Sequence, residues 1–298
     1  MTPPPVTGRA CTLAGVVCLV GSGVLLAQDE RVTIRFIPAP NQVVHLRSTQ
    51  DLSLDIAPAS QTGPPPVVSL SGTLVAKIAS LYTLTLGMPD ADGRVEAALV
   101  YDELSTEVSL NGVPLPGAET RQGLVGQRLS LTIDRDGRVT DVSTSPENRG
   151  LLAASKEMLA SVFGTTSPLS LAVGESTTVP LSLALPLPVA LNSLNAAGET
   201  KYTLQSVDRD GSDRIAHLAL ATSSHIKQPV QGSGGESMTI DMALATAGTL
   251  DANLDRGVVK SSQQHGTLEL TLQTTSTNLP FTSLHVRGTV ASQTHADY

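Results

Sequence analysis

The feature that most constrains this chain is a hydrophobic alternation with a period of two residues. Between residues 68 and 86 apolar side chains occupy most even positions, whereas serine, threonine and lysine occupy most odd ones. Successive side chains of a strand point to opposite faces of a sheet, so the pattern predicts a half-buried strand and argues against a helix. A straight strand of this length would span about 60 Å, and we therefore expect a bend or break near Gly72 or Ser80.

The same alternation recurs in several further parts of the chain. These are residues 44–56, 129–133, 238–244, 268–272 and 284–290. Antiparallel sheets with one solvated face show this pattern, whereas parallel sheets that are buried on both faces do not. The sequence therefore predicts a mainly β protein with one or few helices, built as a long antiparallel curved sheet or half-barrel.

Three Asp-x-Asp-Gly sequences interrupt the alternating segments, at residues 90–93, 134–137 and 208–211. An Asp-Gly pair supplies the positive φ angles of a tight hairpin turn. Calcium-binding loops also space their aspartates in this way, but none of the three has the glycine and glutamate positions of an EF-hand. We interpret all three as hairpin turns and predict no metal site.

One segment departs from the β pattern. Ser145 and Pro146 are suited to the start of a helix, and Glu147 adds a carboxylate to its first turn. The apolar residues that follow recur at helical spacing as far as Phe163, before Gly164. This predicts an amphipathic helix over residues 146–163, whose apolar side packs on the sheet.

The parts of the chain on either side of this helix resemble each other. Tyr82-Thr83-Leu84 precedes one Asp-Gly turn, and Tyr202-Thr203-Leu204 precedes another at an offset of 120 residues. The offset predicts a tandem duplication. We expect a single β-rich domain over residues 28–298, made of related halves at about 31–145 and 165–290 and joined by the helix.

The amino-terminal residues have the order of an export signal. Arg9 precedes an uncharged apolar run from Cys11 to Leu26, and Ala27 is the expected cleavage position. The alternative is that residues 1–27 are retained as an anchor. Both cysteines lie in this segment, so we expect a cysteine-free mature protein in the periplasm or outside the cell, with no transmembrane domain after removal of the signal.

Composition argues against several classes of function. Only 2% of the residues are aromatic and the formal net charge is −8, so neither stacking platforms nor a basic surface for nucleic acid is expected. The histidines form neither a His-x-His nor a His-Glu-x-x-His motif, and no nucleophile elbow is present. We therefore expect no enzyme activity, no cofactor and no metal.

The layout of alternating strands around one short amphipathic helix, over most of residues 31–290, resembles the LolA-like superfamily of periplasmic lipoprotein carriers. It is also similar to secreted bacterial β-rich families of unassigned function. The first resemblance implies a half-barrel whose concave apolar face is closed by a helical lid. It carries no individual residue role across to this chain.

From these observations we predict an exported, non-enzymatic binding protein that holds an apolar or lipid ligand on the concave face of the sheet. The alternative is a structural or interaction protein of the bacterial envelope, with a filled core and an envelope protein as its partner. The predicted ligand-binding residues of the sheet are Leu70, Leu74, Ile78, Leu84, Met238, Ile240, Met242 and Leu244. Those of the helix are Leu151, Leu152, Met158, Leu159 and Phe163.

Overall fold

A computed structural model describes residues 31–35, 39–61, 71–115, 125–135, 139–143, 168–185, 194–231, 237–275 and 281–298. All helices and strands assigned within these residues are β-strands, which confirms the mainly β prediction. The predicted signal segment at 1–27 and the predicted helix at 146–163 lie outside the described residues.

Twelve of the fourteen strands form one antiparallel sheet. Their order across the sheet is β7-β6-β4-β3-β2-β14-β13-β12-β11-β10-β9, with β5 paired to β4, while β1 and β8 form a separate two-stranded ribbon. The strands are β1 (Val32–Ile34), β2 (Val43–Gln61), β3 (Gly72–Pro89), β4 (Val95–Leu110), β5 (Val113–Pro114), β6 (Arg128–Ile133), β7 (Val139–Ser143), β8 (Leu169–Leu171), β9 (Ser176–Leu185), β10 (Leu194–Asp210), β11 (Asp213–Gln231), β12 (Ser237–Asn253), β13 (Val258–Thr274) and β14 (Phe281–Asp297).

The long strands connect as two runs of sequential neighbours that meet at a seam. Strands β9 to β14 follow one another across one part of the sheet, and β2 to β7 continue it in the same direction. The seam is the antiparallel pairing of β2 with β14, in which Ile56 lies opposite Val286 and Leu46 lies opposite Ala296. Strands β7 and β9 are the two edges, each with one neighbour in the described part of the sheet.

The predicted alternation is confirmed on the strands for which the sequence predicts it, which are β2, β3, β6, β12, β13 and β14. Val44, Leu54 and Leu84 are among the buried side chains of β2 and β3, and they share one face, which we name the inner face. Residues between them, such as His45 and Asp55, are exposed on the opposite, outer face. The period of two places side chains on the two faces as the sequence predicts.

Buried side chains of the inner face form separate clusters. We call the end of the sheet at which β2 begins the lower end, and the end at which β2 finishes the upper end. The upper cluster has Leu54, Ile226, Ile240, Met242, Leu270, Leu272 and Val286 at its centre, with half-buried Leu52, Ile56, Leu74, Leu268 and Leu284 around them. One lower cluster is centred on β2, β3, β4 and β6 and includes Leu84, Leu99 and Leu129. In another, Ile34, Leu169 and Leu171 of the ribbon pack with Leu204, Ala216 and Leu218.

Strand β3 begins at Gly72 and runs to Pro89. Its register with β4 shifts between Leu81 and Tyr82, next to Ser80, so the structure has irregularities at both positions where a bend or break is expected. Neighbouring backbones approach closely along a diagonal of glycines on β12, β13 and β14. A Cβ atom added at any of the three would overlap a carbonyl oxygen of the adjoining strand, so only glycine fits there. The glycines and these oxygens are Gly248 with Gln263, Gly266 with Ala245, and Gly288 with Ser53.

Two of the three predicted Asp-Gly turns are confirmed. In the turn between β3 and β4, Asp90 Oδ1 accepts hydrogen bonds from the backbone N–H groups of Asp92 at 2.9 Å and Arg94 at 2.8 Å, and Gly93 has a φ of 78°. Gly211, with a φ of 63°, turns β10 into β11. The third turn lies partly outside the described residues, because residues 136–138 are not among them.

Candidate ligand-binding face

The structure distributes the predicted sheet residues along the inner face rather than gathering them at one point. Leu74, Ile240 and Met242 belong to the upper cluster, whereas Leu84 is buried in a lower cluster. Three more lie on the inner face outside these clusters: Met238 is buried, and Ile78 and Leu244 are half-buried. Outside the described residues lie Leu70, Leu151, Leu152, Met158, Leu159 and Phe163.

The upper cluster combines a sealed centre with an accessible rim. Ile240 and Met242 are 0% and 1% exposed, so they serve as packed core. Around them, Leu52, Leu268 and Leu284 are each half-buried and so retain apolar surface. The described members of this cluster are all aliphatic, which favours a flexible hydrocarbon chain over a planar ring as a partner.

A band of hydroxyl and amide side chains crosses the inner face between the upper and lower clusters. We call this band the hydroxyl belt. Its residues line up across the sheet because of the register in which the neighbouring strands pair. Its members are Ser48, Gln50, Ser80, Thr106, Thr200, Thr222, Thr246, Ser262, Gln264, Ser292 and Thr294. Ten of the eleven are buried or half-buried, and Gln50 is exposed, so solvent reaches the belt at β2.

Cross-strand hydrogen bonds hold the belt together. The Thr200 and Thr222 hydroxyls are 3.0 Å apart, and the Thr246 hydroxyl donates to Gln264 Oε1 at 3.2 Å. Thr106 Oγ1 is shielded from solvent and has no hydrogen-bond partner among the described residues. A buried hydroxyl without a partner is energetically costly, so Thr106 has a free capacity for a polar ligand atom.

The part of the inner face that holds the upper cluster and the belt is uncharged. Between β4 and β10, its described positions carry aliphatic residues, tyrosine, serine, threonine, glutamine or glycine, and neither a histidine nor a charged residue. The charges of the same strands point outward, as in the Arg287–Glu269 pair, with its N–O distance of 3.5 Å. Over these described positions, the inner face is therefore uncharged and the outer face carries the ionic groups.

A shallow groove of about 620 Å³ lies on the outer face, where it crosses β10 to β13. Small side chains such as Ala243 and Ala245 form its floor, and Glu199, His225 and Glu269 also line it. Beside the groove, the pKa of Asp241 is lowered by hydrogen bonds from His225, which has the larger effect, and from Lys227. His225 pairs with Asp241 and Glu269 with Arg287 on the same surface, so we assign no ligand to this groove.

A network of polar side chains closes the lower end of β11, β12 and β13. Asp213 accepts hydrogen bonds from Asn253 at 2.8 Å and from Arg256 at 2.7 Å, and these two bonds lower its pKa. The Arg256 guanidinium lies 4.6 Å from the centre of the Tyr298 ring, in a cation–π contact. These contacts tie the turn between β12 and β13 to that between β10 and β11.

His217 and Ser261 meet in the same region but are not arranged as a catalytic pair. Asp251 lies between them, 2.7 Å from His217 Nδ1, and accepts the Ser261 hydroxyl at 2.7 Å. A serine nucleophile needs its hydroxyl bonded to the histidine base, and here the carboxylate takes that bond. In the described part of the chain, no group of three or more His, Cys, Asp and Glu side chains is placed to hold a metal.

No protein-family model and no curated protein matches the chain. A solved structure of lipovitellin and its lipid–protein interactions covers 88% of this chain and 26% of its own, at 12% identity and a TM-score of 0.48. OpdL of Pseudomonas aeruginosa covers 86% of this chain and 98% of its own, at 11% identity and a TM-score of 0.19.

This chain therefore spans about a quarter of the lipovitellin chain. Both TM-scores are below 0.5. The resemblance to the LolA-like carriers stays a prediction. Within the described residues, no helix has the length and apolar character needed to span a bilayer.

Proposed function

We propose that this protein is an exported, non-enzymatic binding protein that holds an aliphatic ligand against the upper cluster of the inner face. The observation that carries the proposal is the rim of half-buried leucine and isoleucine side chains around a sealed aliphatic centre. The export signal predicted at residues 1–27 supports the location. The partner of this face is an acyl or alkyl chain.

The energetics favour a chain that covers the rim as a whole. Burial of apolar surface contributes roughly 25 cal/mol per Å², so a ligand that covers about 200 Å² gains on the order of 5 kcal/mol. The fully buried Ile240 and Met242 offer little further area. Leu52, Leu268 and Leu284, on three adjacent strands, are therefore expected to supply the contact.

The test begins with protein purified without detergent, whose organic extract is analysed by mass spectrometry for alkyl-chain compounds. The delipidated protein is then titrated with a pyrene-labelled long-chain alcohol. We expect saturable binding, and we expect Leu268→Asn to weaken it about tenfold, which corresponds to about 1.4 kcal/mol.

Leu250→Asn is the matched control, because Leu250 is also a half-buried leucine of the inner face but packs against a lower cluster. It should bind like the wild type although its cost in stability is similar. If the extract contains no alkyl compound and the probe does not bind, the proposal fails. The apolar rim would then be part of a filled core in a structural or interaction protein.

A further inference from the structure

We infer that the ligand is a neutral acyl lipid, whose ester or hydroxyl oxygens lie on the hydroxyl belt and whose chains lie along the upper cluster. The inference rests on the proposed function and narrows its ligand class. It follows from the charge, the hydrogen-bonding capacity and the dimensions of the inner face.

Charge is the first argument. The upper cluster and the belt extend over eight strands, and none of their described inner-face positions carries a cationic side chain. A phosphate or carboxylate headgroup that left water for this surface would lose its hydration and gain no counter-charge. The nearest cations of the same strands, such as Arg287 and Lys227, are exposed on the outer face, where they pair with Glu269 and Asp241. The inner face therefore selects against anionic lipids.

Hydrogen-bonding capacity is the second argument. A belt made only of hydroxyls and amides can donate to ester carbonyls and accept from hydroxyl groups without charge. Thr106 Oγ1 is buried and without a partner among the described residues. Gln264 uses its Oε1 atom to accept from Thr246, which leaves its two amide N–H donors for another acceptor. Thr106 and Gln264 lie four strand positions apart, on β4 and β13, so each offers a separate contact for an ester or hydroxyl oxygen.

The third argument is geometric. On β14 the belt residue Ser292 is followed towards the upper end by Val290, Val286 and Leu284 on the same face. Eight residue steps separate Ser292 from Leu284, a distance of about 26 Å at ~3.3 Å per residue. This is long enough for an extended acyl chain whose polar end lies on the belt. The belt and the upper cluster thus form one amphipathic surface.

The first experiment compares two lipids that differ only in their headgroup. The delipidated full chain is titrated with a pyrene-labelled diacylglycerol and with the phosphatidic acid that carries the same chains. We expect the diacylglycerol to bind at least about tenfold more tightly, because its headgroup needs no counter-charge.

The second experiment places a cation on the belt. Ser292→Lys should shift the preference towards phosphatidic acid by about tenfold, because the ammonium group supplies the missing counter-charge. Gln293→Lys is the matched control: it adds the same charge one residue away, at an exposed position of the outer face. It should leave the preference unchanged. Circular dichroism and thermal unfolding verify that both variants are folded.

The outcomes separate this inference from the proposed function. If phosphatidic acid binds the wild type as tightly as diacylglycerol, the neutral-lipid inference is overturned while the aliphatic site stands. An equal shift in the two lysine variants also overturns it, since the headgroup would then not be on the belt. If neither lipid nor the labelled alcohol binds, both proposals fail.

Discussion

Replacing Gly266 with alanine should weaken the sheet, because the added methyl group would occupy space that the backbone of β12 already holds. Gly266 lies on the inner face of β13, directly opposite Thr246. Its Cβ atom would overlap the carbonyl oxygen of Ala245 and lie 2.6 Å from the Thr246 Cα atom. Both atoms belong to the paired backbone of β12, so the overlap is relieved only if β12 and β13 move apart.

The magnitude follows from two opposing effects. Forcing an extra methyl group into a packed position costs about 1–3 kcal/mol. Alanine also reduces the conformational entropy of the unfolded chain, and this raises the free energy of unfolding by about 0.4–1 kcal/mol. The overlapped atoms are backbone and cannot rotate away, so the upper part of the packing cost applies. We therefore expect Gly266→Ala to lower the free energy of unfolding by about 1–2 kcal/mol.

Urea unfolding followed by far-UV circular dichroism measures this loss as a lower midpoint at unchanged slope. Thr267→Ala is the control, because Thr267 is the next residue of β13 and its side chain is exposed on the outer face. It should change the free energy of unfolding by less than about 0.5 kcal/mol. A Gly266→Ala loss within the same limit would refute the close approach of the two strands.

Ile240→Ala, which removes a fully buried side chain of the upper cluster, should lower the free energy of unfolding by about 2–5 kcal/mol, whereas the exposed Gln273→Ala should change the urea midpoint little. The pKa of Asp213 is lowered by hydrogen bonds from Asn253, which has the larger effect, and from Arg256. The ionised carboxylate therefore stabilises the folded state above pH ~4, and this contribution is lost as the pH falls through the lowered pKa. Unfolding midpoints of Asp213→Asn should therefore vary less with acid pH than those of the wild type, and an equal dependence would contradict this account. Burial, and then the charge of Tyr101, raise the pKa of Tyr82 to about 12, so stability should decline as the pH rises from ~10 towards that value. Tyr82→Phe should reduce this alkaline decline, and ultraviolet titration of the wild type should show a tyrosine that ionises late.

The strands and their faces could be predicted from the sequence because they depend on neighbours along the chain. The alternation of Met238, Ile240 and Met242 with Thr239 and Asp241 places the apolar side chains of β12 on one face, and the structure confirms it. The same holds for β13 and β14. A period of two encodes the face of a side chain directly.

Positions along the sheet could not be predicted, since they depend on which strands pair and in what register. Leu84 and Leu74 occupy the same face of β3, yet they belong to clusters at opposite ends of the sheet. The hydroxyl belt is visible in the sequence as polar residues at positions where the alternation would place apolar ones. Examples are Ser48, Gln50 and Ser292. Only the pairing of β2 with β14 shows that Ser292 lies directly opposite Gln50 and that Ser48 lies one pair further along the same face.

The seam between β2 and β14 has a consequence for the order in which the sheet forms. Strands β2 to β4 pair with neighbours that are close in the chain, as do β10 to β14, and such local contacts form early. The seam joins segments separated by most of the chain, so its closure carries a large loop entropy and is expected late. Until then each half presents a long unpaired strand edge to other chains. Pairing of the seventeen-residue strand β14 with β2 would cover these edges and so end the period in which the chain is prone to aggregate.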